Sequence, residues 1–317
     1  MRPTSHRTAS AAALIGAAMI SLSMTGAARS ACATFTAGSL QVTYDPLGQN
    51  VSYAQIAPFT VTANSVTVAH QSTAQSVTVQ FIDPNPGVGG QHRVGNGGPL
   101  FHLYGSGPDA IVNASDPVTP SNAVTIGFPS ASASTGVASL QLWLNANQDI
   151  AAGDYATTLD LRYGCHYTAG DSNPTQIQTG VLPISVSVPS SVRATLAGGS
   201  AAASVDFGDF SQPTRTVNVN VRSTGPFTIA ASSDNGGVMK LRATAVNGGA
   251  SGTNARIPYT VTLAGRAFAL DGTAVNFTRT GIGGSALPLT ITMPGVQANR
   301  AGLYYDHIVL TITPLGA

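Results

Sequence analysis

Two stretches of this chain repeat one plan, and the repeat limits the fold more than any other feature. "ASLQLWLNANQDIAAGDYATTLDLRYGC" and "ALPLTITMPGVQANRAGLYYDHIVLTITP" align without gaps at a constant offset of 149 residues. Leu140 then matches Leu289, Leu142 matches Ile291 and Leu144 matches Met293. The element Ala152-Gly153-x-Tyr155 recurs as Ala301-Gly302-x-Tyr304, and Leu159 and Leu161 match Ile308 and Leu310. A pattern shared over strand, turn and strand predicts two diverged copies of one fold. In each copy, Gly permits the turn before the strand. Tyr then becomes the first inward residue, its hydroxyl tied to backbone.

Composition says what the copies are made of. All thirteen acidic residues are aspartate and Lys240 is the only lysine. The chain therefore lacks the usual residues of a helix surface. Val, Thr, Ser and Gly dominate instead, in short alternating runs separated by turn residues, which predicts strands joined by tight turns. The expectation is an all-β protein of two immunoglobulin-like β-sandwich domains, over 31–190 and 191–317.

Residues 1–30 read as an export signal: Arg2 and Arg7, the apolar "AAALIGAAMISLSM", then Ala28 and Ser30 before a cleavage site at Ala31. Acylation of Cys32 as a lipoprotein is the weaker reading, because Arg29 stands where an aliphatic residue is expected. Removing the three arginines of this segment leaves 11 basic residues against 13 acidic ones. That balance offers no electrostatic footprint for nucleic acid or anionic lipid.

Cys32 and Cys165 are the only cysteines. In an oxidising compartment they most simply form one disulfide. Closing so long a loop contributes roughly 5 kcal/mol in the chain-entropy model. Metal ligation is the alternative, without a Cys-x-x-Cys or clustered His to favour it. Inward parity runs from Tyr155 through Leu159, Leu161 and Tyr163 to Cys165, placing that sulfur inside the sandwich where Cys32 can bridge to it.

The two copies differ at their ends. The first continues into "LPISVSVPSSV", where Ile184, Val186 and Val188 alternate with serines as a half-buried strand does. This run either closes the first domain or opens the second. The second copy has no such run after Ile308, Leu310 and Ile312. Its sandwich is expected to be one strand short, and an open apolar edge invites a strand from another chain.

Catalytic and metal motifs are missing. His70, His92, His102, His166 and His307 have no ligand spacing. No Gly-x-Ser-x-Gly context surrounds Ser211, and no pair of aspartates stands out as an acid/base couple. No cofactor is expected, and a carbohydrate-processing enzyme is disfavoured. Two first-domain loops are candidates for surface contact: Asp83–Gly98, with His92 and Arg93, and Phe128–Gly136, with Phe128. Trp143 lies among Leu140, Leu142 and Leu144 and reads as core, yet its parity is opposite to theirs, which leaves an exposed or interdomain position open.

The second copy resembles the spore coat protein U-like domain of secreted bacterial proteins, a group that includes subunits of archaic chaperone–usher pili. The resemblance is carried by "VDFGDFSQ", "SDNGGVMKL", "IPYTVTLAG" and "AGLYYDHIVLTITP". It is looser in the first copy, at "VTYDPL", "PLFHLYGSG" and "AAGDYATTLDLRYGC". It implies an incomplete sandwich whose groove, beside Tyr304, Ile308, Leu310 and Ile312, is filled first by a periplasmic chaperone. At an outer-membrane usher, the strand of an adjacent subunit then replaces the chaperone. With Cys32 so near the mature start, no donor segment is expected, which implies a tip adhesin exposed on a fimbrium. A structural coat or matrix protein that polymerises without a receptor is the alternative.

Overall fold

The computed structural model describes residues 31–48, 55–66, 74–105, 109–117, 119, 121–129, 134–167, 175–242, 256–294 and 302–316. The expected signal segment and His70 lie outside these. The architecture is all-β, two immunoglobulin-like sandwiches in sequence, with one short 3-10 turn at Val88–Gly90 as the helical element among the described residues.

In the first sandwich, one sheet runs β1 (Ala33–Ala37), β3 (Gln55–Ser65), β8 (Thr135–Leu144), β5 (Phe101–Tyr104). The facing sheet runs β2 (Leu40–Thr43), β10 (Gln176–Val188), β9 (Gly153–His166), β4 (Ser76–Ile82), β6 (Ile111–Val112), with β7 (Val124–Gly127) also on β4. Period-2 alternation is strict along β8, where Gly136, Ala138, Leu140, Leu142 and Leu144 are buried and their neighbours are not. One continuous apolar cluster, from Cys32 to Val188, fills the space between the sheets.

The disulfide forms across this core. Cys32 and Cys165 are bonded at 2.03 Å with Cα atoms 6.4 Å apart, both buried, so it links the sheet of β1 to the sheet of β9. The run "LPISVSV" belongs to β10, which pairs antiparallel with β9 and parallel with β2. The strand thus lies between two neighbours of the first sandwich.

The second sandwich has a sheet of β11 (Val192–Leu196), β12 (Thr214–Ser223), β19 (Gly281–Thr292), β16 (Thr260–Leu263) and β17 (Arg266–Phe268). Opposite lie β18 (Asp271–Phe277), β13 (Phe227–Ser233) and β21 (Ile308–Pro314), continued by β15 (Arg256–Pro258), β14 (Val238–Leu241) and β20 (Tyr304–Tyr305). A second, separate apolar cluster is built around Val221, Phe227, Ile229, Ile257 and Leu263. The repeat read from the sequence is present in the backbone. Gly153 and Gly302, 149 residues apart, have φ of 148° and 150°, values that favour glycine at the turn into each copied strand. Tyr155 donates its hydroxyl to the Ala151 carbonyl at 2.9 Å, the expected tie to backbone.

Candidate functional site

The site is best seen by comparing the copied strands β9 and β21. β9 is flanked on both sides, by β4 and β10. Its inward side chains Leu159, Leu161 and Tyr163 are 4% exposed or less. β21 pairs with β13 alone, in the register Ile308↔Ser233 to Pro314↔Phe227. Among the described residues no strand covers its outer edge. The matching inward side chains Ile308, Leu310 and Ile312 pack on the second core, yet each stays only half-buried. Equal sequence patterns therefore end in unequal burial, in step with two strand neighbours for β9 and one for β21 among the described residues.

In the first sandwich β10 supplies what is lacking here. Leu182, Ile184, Val186 and Val188 are each 2% exposed or less. They stand in register with Leu159, Thr157, Tyr155 and Gly153 of β9. The repeat carries these positions to Ile308, Asp306, Tyr304 and Gly302. On the far side the edge strand is β11, bonded only to β12, with Val192 and Leu196 half-buried against the same core. One end of the opening is tied shut: the Ser190 hydroxyl donates to the Leu315 carbonyl, and Leu315 N–H donates to the Pro226 carbonyl at 2.9 Å. The two sheet edges on this side are thus β11 and β21, each bonded to a single neighbour and each with partly buried apolar side chains against the second core.

At the other end the strand breaks between β20 and β21, where Asp306 replaces the Thr157 of the first copy. Its carboxylate accepts hydrogen bonds from the Ser233 hydroxyl (2.6 Å), the Tyr259 hydroxyl (2.7 Å), the Asn235 amide (2.9 Å) and the His307 N–H (2.8 Å). Burial pushes the Asp306 carboxyl up, but these donors outweigh it and hold the group below the usual carboxylate range. Burial in turn raises the Tyr259 hydroxyl, and its contact with the Asp306 carboxylate adds to this. Asp306 thus fastens the start of β21 to the turn after β13 and to the segment before β16.

The remaining sequence candidates are placed as follows. Tyr304 is half-buried, its ring edge-on to Phe210 at 6.1 Å. Phe128 is not a surface contact: it is 9% exposed and joins the first core, because its N–H is bonded to the Gln75 carbonyl and draws the ring inward. The His92 side chain is 11% exposed and pairs with the buried Asp83 at 3.3 Å, so it braces its own loop. Arg93 donates to the Gly98 carbonyl at 3.0 Å, also within that loop. Trp143 is not core. Its parity puts it on the outer face of β8, half-exposed, beside Tyr104. The Asp306 cluster escaped the sequence reading, since its donors come from three separate segments; the one trace of it was an acidic residue at inward parity. No group of three potential metal ligands occurs among the described residues, and none of their helices is long and apolar enough to cross a membrane.

No family model matches this chain, and no curated protein matches it. Among solved structures it is similar to a chaperone–tip adhesion subunit pre-assembly complex of archaic Csu pili from Acinetobacter baumannii, at 9% identity and a TM-score of 0.41, covering 88% of this chain and 100% of that one. It is also similar to a tip adhesin from Pseudomonas aeruginosa, at 14% identity, TM-score 0.40, and coverage of 88% and 94%. A third is the adhesive subunit of CFA/I fimbria from enterotoxigenic Escherichia coli, at 15% identity, TM-score 0.38, and coverage of 87% and 92%. Likenesses this distant leave the role of the chain to its own geometry.

Proposed function

We propose that the chain is a non-enzymatic adhesive subunit of a chaperone–usher type pilus, whose second sandwich is completed by a β-strand from another polypeptide. The observation that carries this is the half-exposure of Ile308, Leu310 and Ile312 where their first-domain counterparts are sealed. Fully burying such a side chain stabilises by roughly 1.5–3 kcal/mol. An inserted strand would gain at most about a third of that at each position, besides its own apolar side chains and a ladder of backbone bonds. An edge of this kind left open is an aggregation hazard. The resemblance noted in the sequence supplies the partners: a periplasmic chaperone in transit, an outer-membrane usher, and the neighbouring subunit in the fibre. A complete first sandwich carried on an accepting second one suits the fibre tip at the cell surface.

The test appends a turn and a copy of Leu182–Val188 after Ala317, so that the new strand returns antiparallel along β21 as β10 does along β9. The extended full chain is expected to be a soluble monomer with a raised urea midpoint for its second domain. The unextended chain is expected to aggregate unless a chaperone is co-expressed. Equal midpoints and a stable monomer in both forms would reject the reading. Immunogold labelling confined to fibre ends is the expected result for the tip role; labelling along the shaft, or in an amorphous coat, would reject it.

A further inference from the structure

The outer face of the sheet β1-β3-β8-β5 carries a feature that the strand-capture reading does not use. Trp143 stands directly between Ile56 on β3 and His102 on β5. In the next row, Gln141 stands between Pro58 and Tyr104. The Trp143 indole N–H donates to the Gln141 side-chain oxygen at 3.1 Å, two residues back along the same strand. The indole is thereby laid along the sheet rather than standing away from it. The Tyr104 ring meets it at 5.2 Å and 77°, and His102 stacks behind Tyr104 at 5.8 Å and 24°. Two aromatic planes thus form an open corner, extended by Ile56, which is 49% exposed.

The surroundings of the corner are uncharged and mostly polar, with Val137, 60% exposed, as an apolar exception. Beyond Gln141 the rows are Thr60 with Ser139, Thr62 with Val137 and Asn64 with Thr135. From Trp143 to Thr135 this strip runs roughly 27 Å at about 3.4 Å per residue. A hollow of about 570 Å³ opens next to the corner over Pro58, Thr60, Ser139 and Gln141, where β5 has ended at Tyr104. The nearest ionisable groups are occupied with each other: His102 Nδ1 lies 2.6 Å from Asp109 Oδ2, while Asp109 Oδ1 accepts the N–H groups of Leu103 and Ile111. Gln141 lines that hollow, and its exposed side chain is within reach of an occupant.

We infer that this corner and strip bind a neutral saccharide chain. An anionic polymer would need the cations this strip lacks. A protein partner of ordinary size would need a contiguous apolar core, whereas here the hydroxyl row of Thr60 and Ser139 separates the exposed Val137 from the aromatic end. A sugar ring matches both halves of the surface: its C–H face packs on the aromatic planes, and its hydroxyls exchange hydrogen bonds with Gln141, Ser139 and Thr60. The reading goes beyond strand capture and stands whether or not the second domain accepts a strand.

Trp143 is the one tryptophan of the chain, so the change in emission that Trp143→Phe removes reports on this corner. The experiment titrates the full chain, with any co-purified strand donor left in place, against neutral hexasaccharides of glucose, mannose, N-acetylglucosamine and galactose. A saturable change in tryptophan emission is expected with at least one of them. By calorimetry, Trp143→Ala and Tyr104→Ala should each weaken that binding tenfold or more, with unchanged melting curves. Trp143→Phe should retain part of it, and Ile177→Ala, an exposed apolar residue on the opposite sheet, should leave it intact. Binding should also be the same when the appended strand fills the second-domain groove. Failure of all four sugars, or binding that survives loss of both rings, overturns the inference. Capture of a protein that Trp143→Ala abolishes, without any saccharide binding, overturns it equally.

Discussion

Asp306 is the residue that most visibly fixes the start of β21. Four donors from different parts of the chain converge on one carboxylate at the mouth of β21. Because its folded pKa is depressed, it stabilises the fold above the unfolded value of about 3.9, and that contribution is lost as pH falls through the lower folded value. Urea midpoints of the second domain should therefore hold from neutral pH down to about 4 and drop below it. Asp306→Asn should start from a lower midpoint at pH 7 and show a shallower acid-side slope, the remainder coming from Asp209 and Asp271, whose carboxyls are also held below the usual range by hydrogen bonds. Gly98 gives an independent check on the first domain. A Cβ there would collide with the Val94 carbonyl oxygen and lie 2.9 Å from the Tyr155 ring. Gly98→Ala is expected to destabilise by about 1–3 kcal/mol through overpacking, read as a lower urea midpoint. Neither result could have been anticipated from the residue letters, since both depend on which distant segments arrive at one point.

At the scale of the strand, the copied pair Leu161 and Leu310 makes burial measurable. Leu161 is sealed between two neighbours, so Leu161→Ala should cost about 2–5 kcal/mol. Leu310 is half-buried on an edge strand, and Leu310→Ala should cost measurably less in the uncomplemented chain. With the appended strand in place the Leu310 cost should rise towards the Leu161 value. Equal costs in both states, measured by urea unfolding, would mean that the groove does not take the strand. The alternation that identified these strands was plain in the sequence, because period 2 depends only on which face is wet. Trp143 shows the limit of that signal: apolar neighbours suggested core, while parity placed the ring outside, and parity was the better guide. Phe128 erred the other way. A lone aromatic among small polar residues looks like a loop tip until the Gln75 carbonyl is seen to anchor its backbone.

Across the whole molecule, stability is divided between two unlike halves. The disulfide closes a separation of 133 residues within the first sandwich, worth roughly 5 kcal/mol by restricting the unfolded chain. Denaturation should show two transitions. Replacing both cysteines with serine should lower only that of the first domain, followed by calorimetry, with Trp143 fluorescence assigning the first-domain transition. The halves also touch: Asp149 of the first accepts from the Arg279 side chain and from Ile282 N–H of the second, and Ala152 N–H donates to the Thr224 carbonyl at 2.8 Å. Such links come from turns that carry no recognisable pattern.

The all-β class, the duplication and the inward faces of the copied strands were determined by the sequence alone, since they follow from local periodicity and from comparing the chain with itself. Which strand stands beside which was decided only in three dimensions. Pairing is a long-range choice, and the same alternating pattern serves a sealed centre or an open edge. That choice made β10 the cover of β9, left β21 bare among the described residues, and gathered Asp306 and the aromatic corner from segments far apart in the chain.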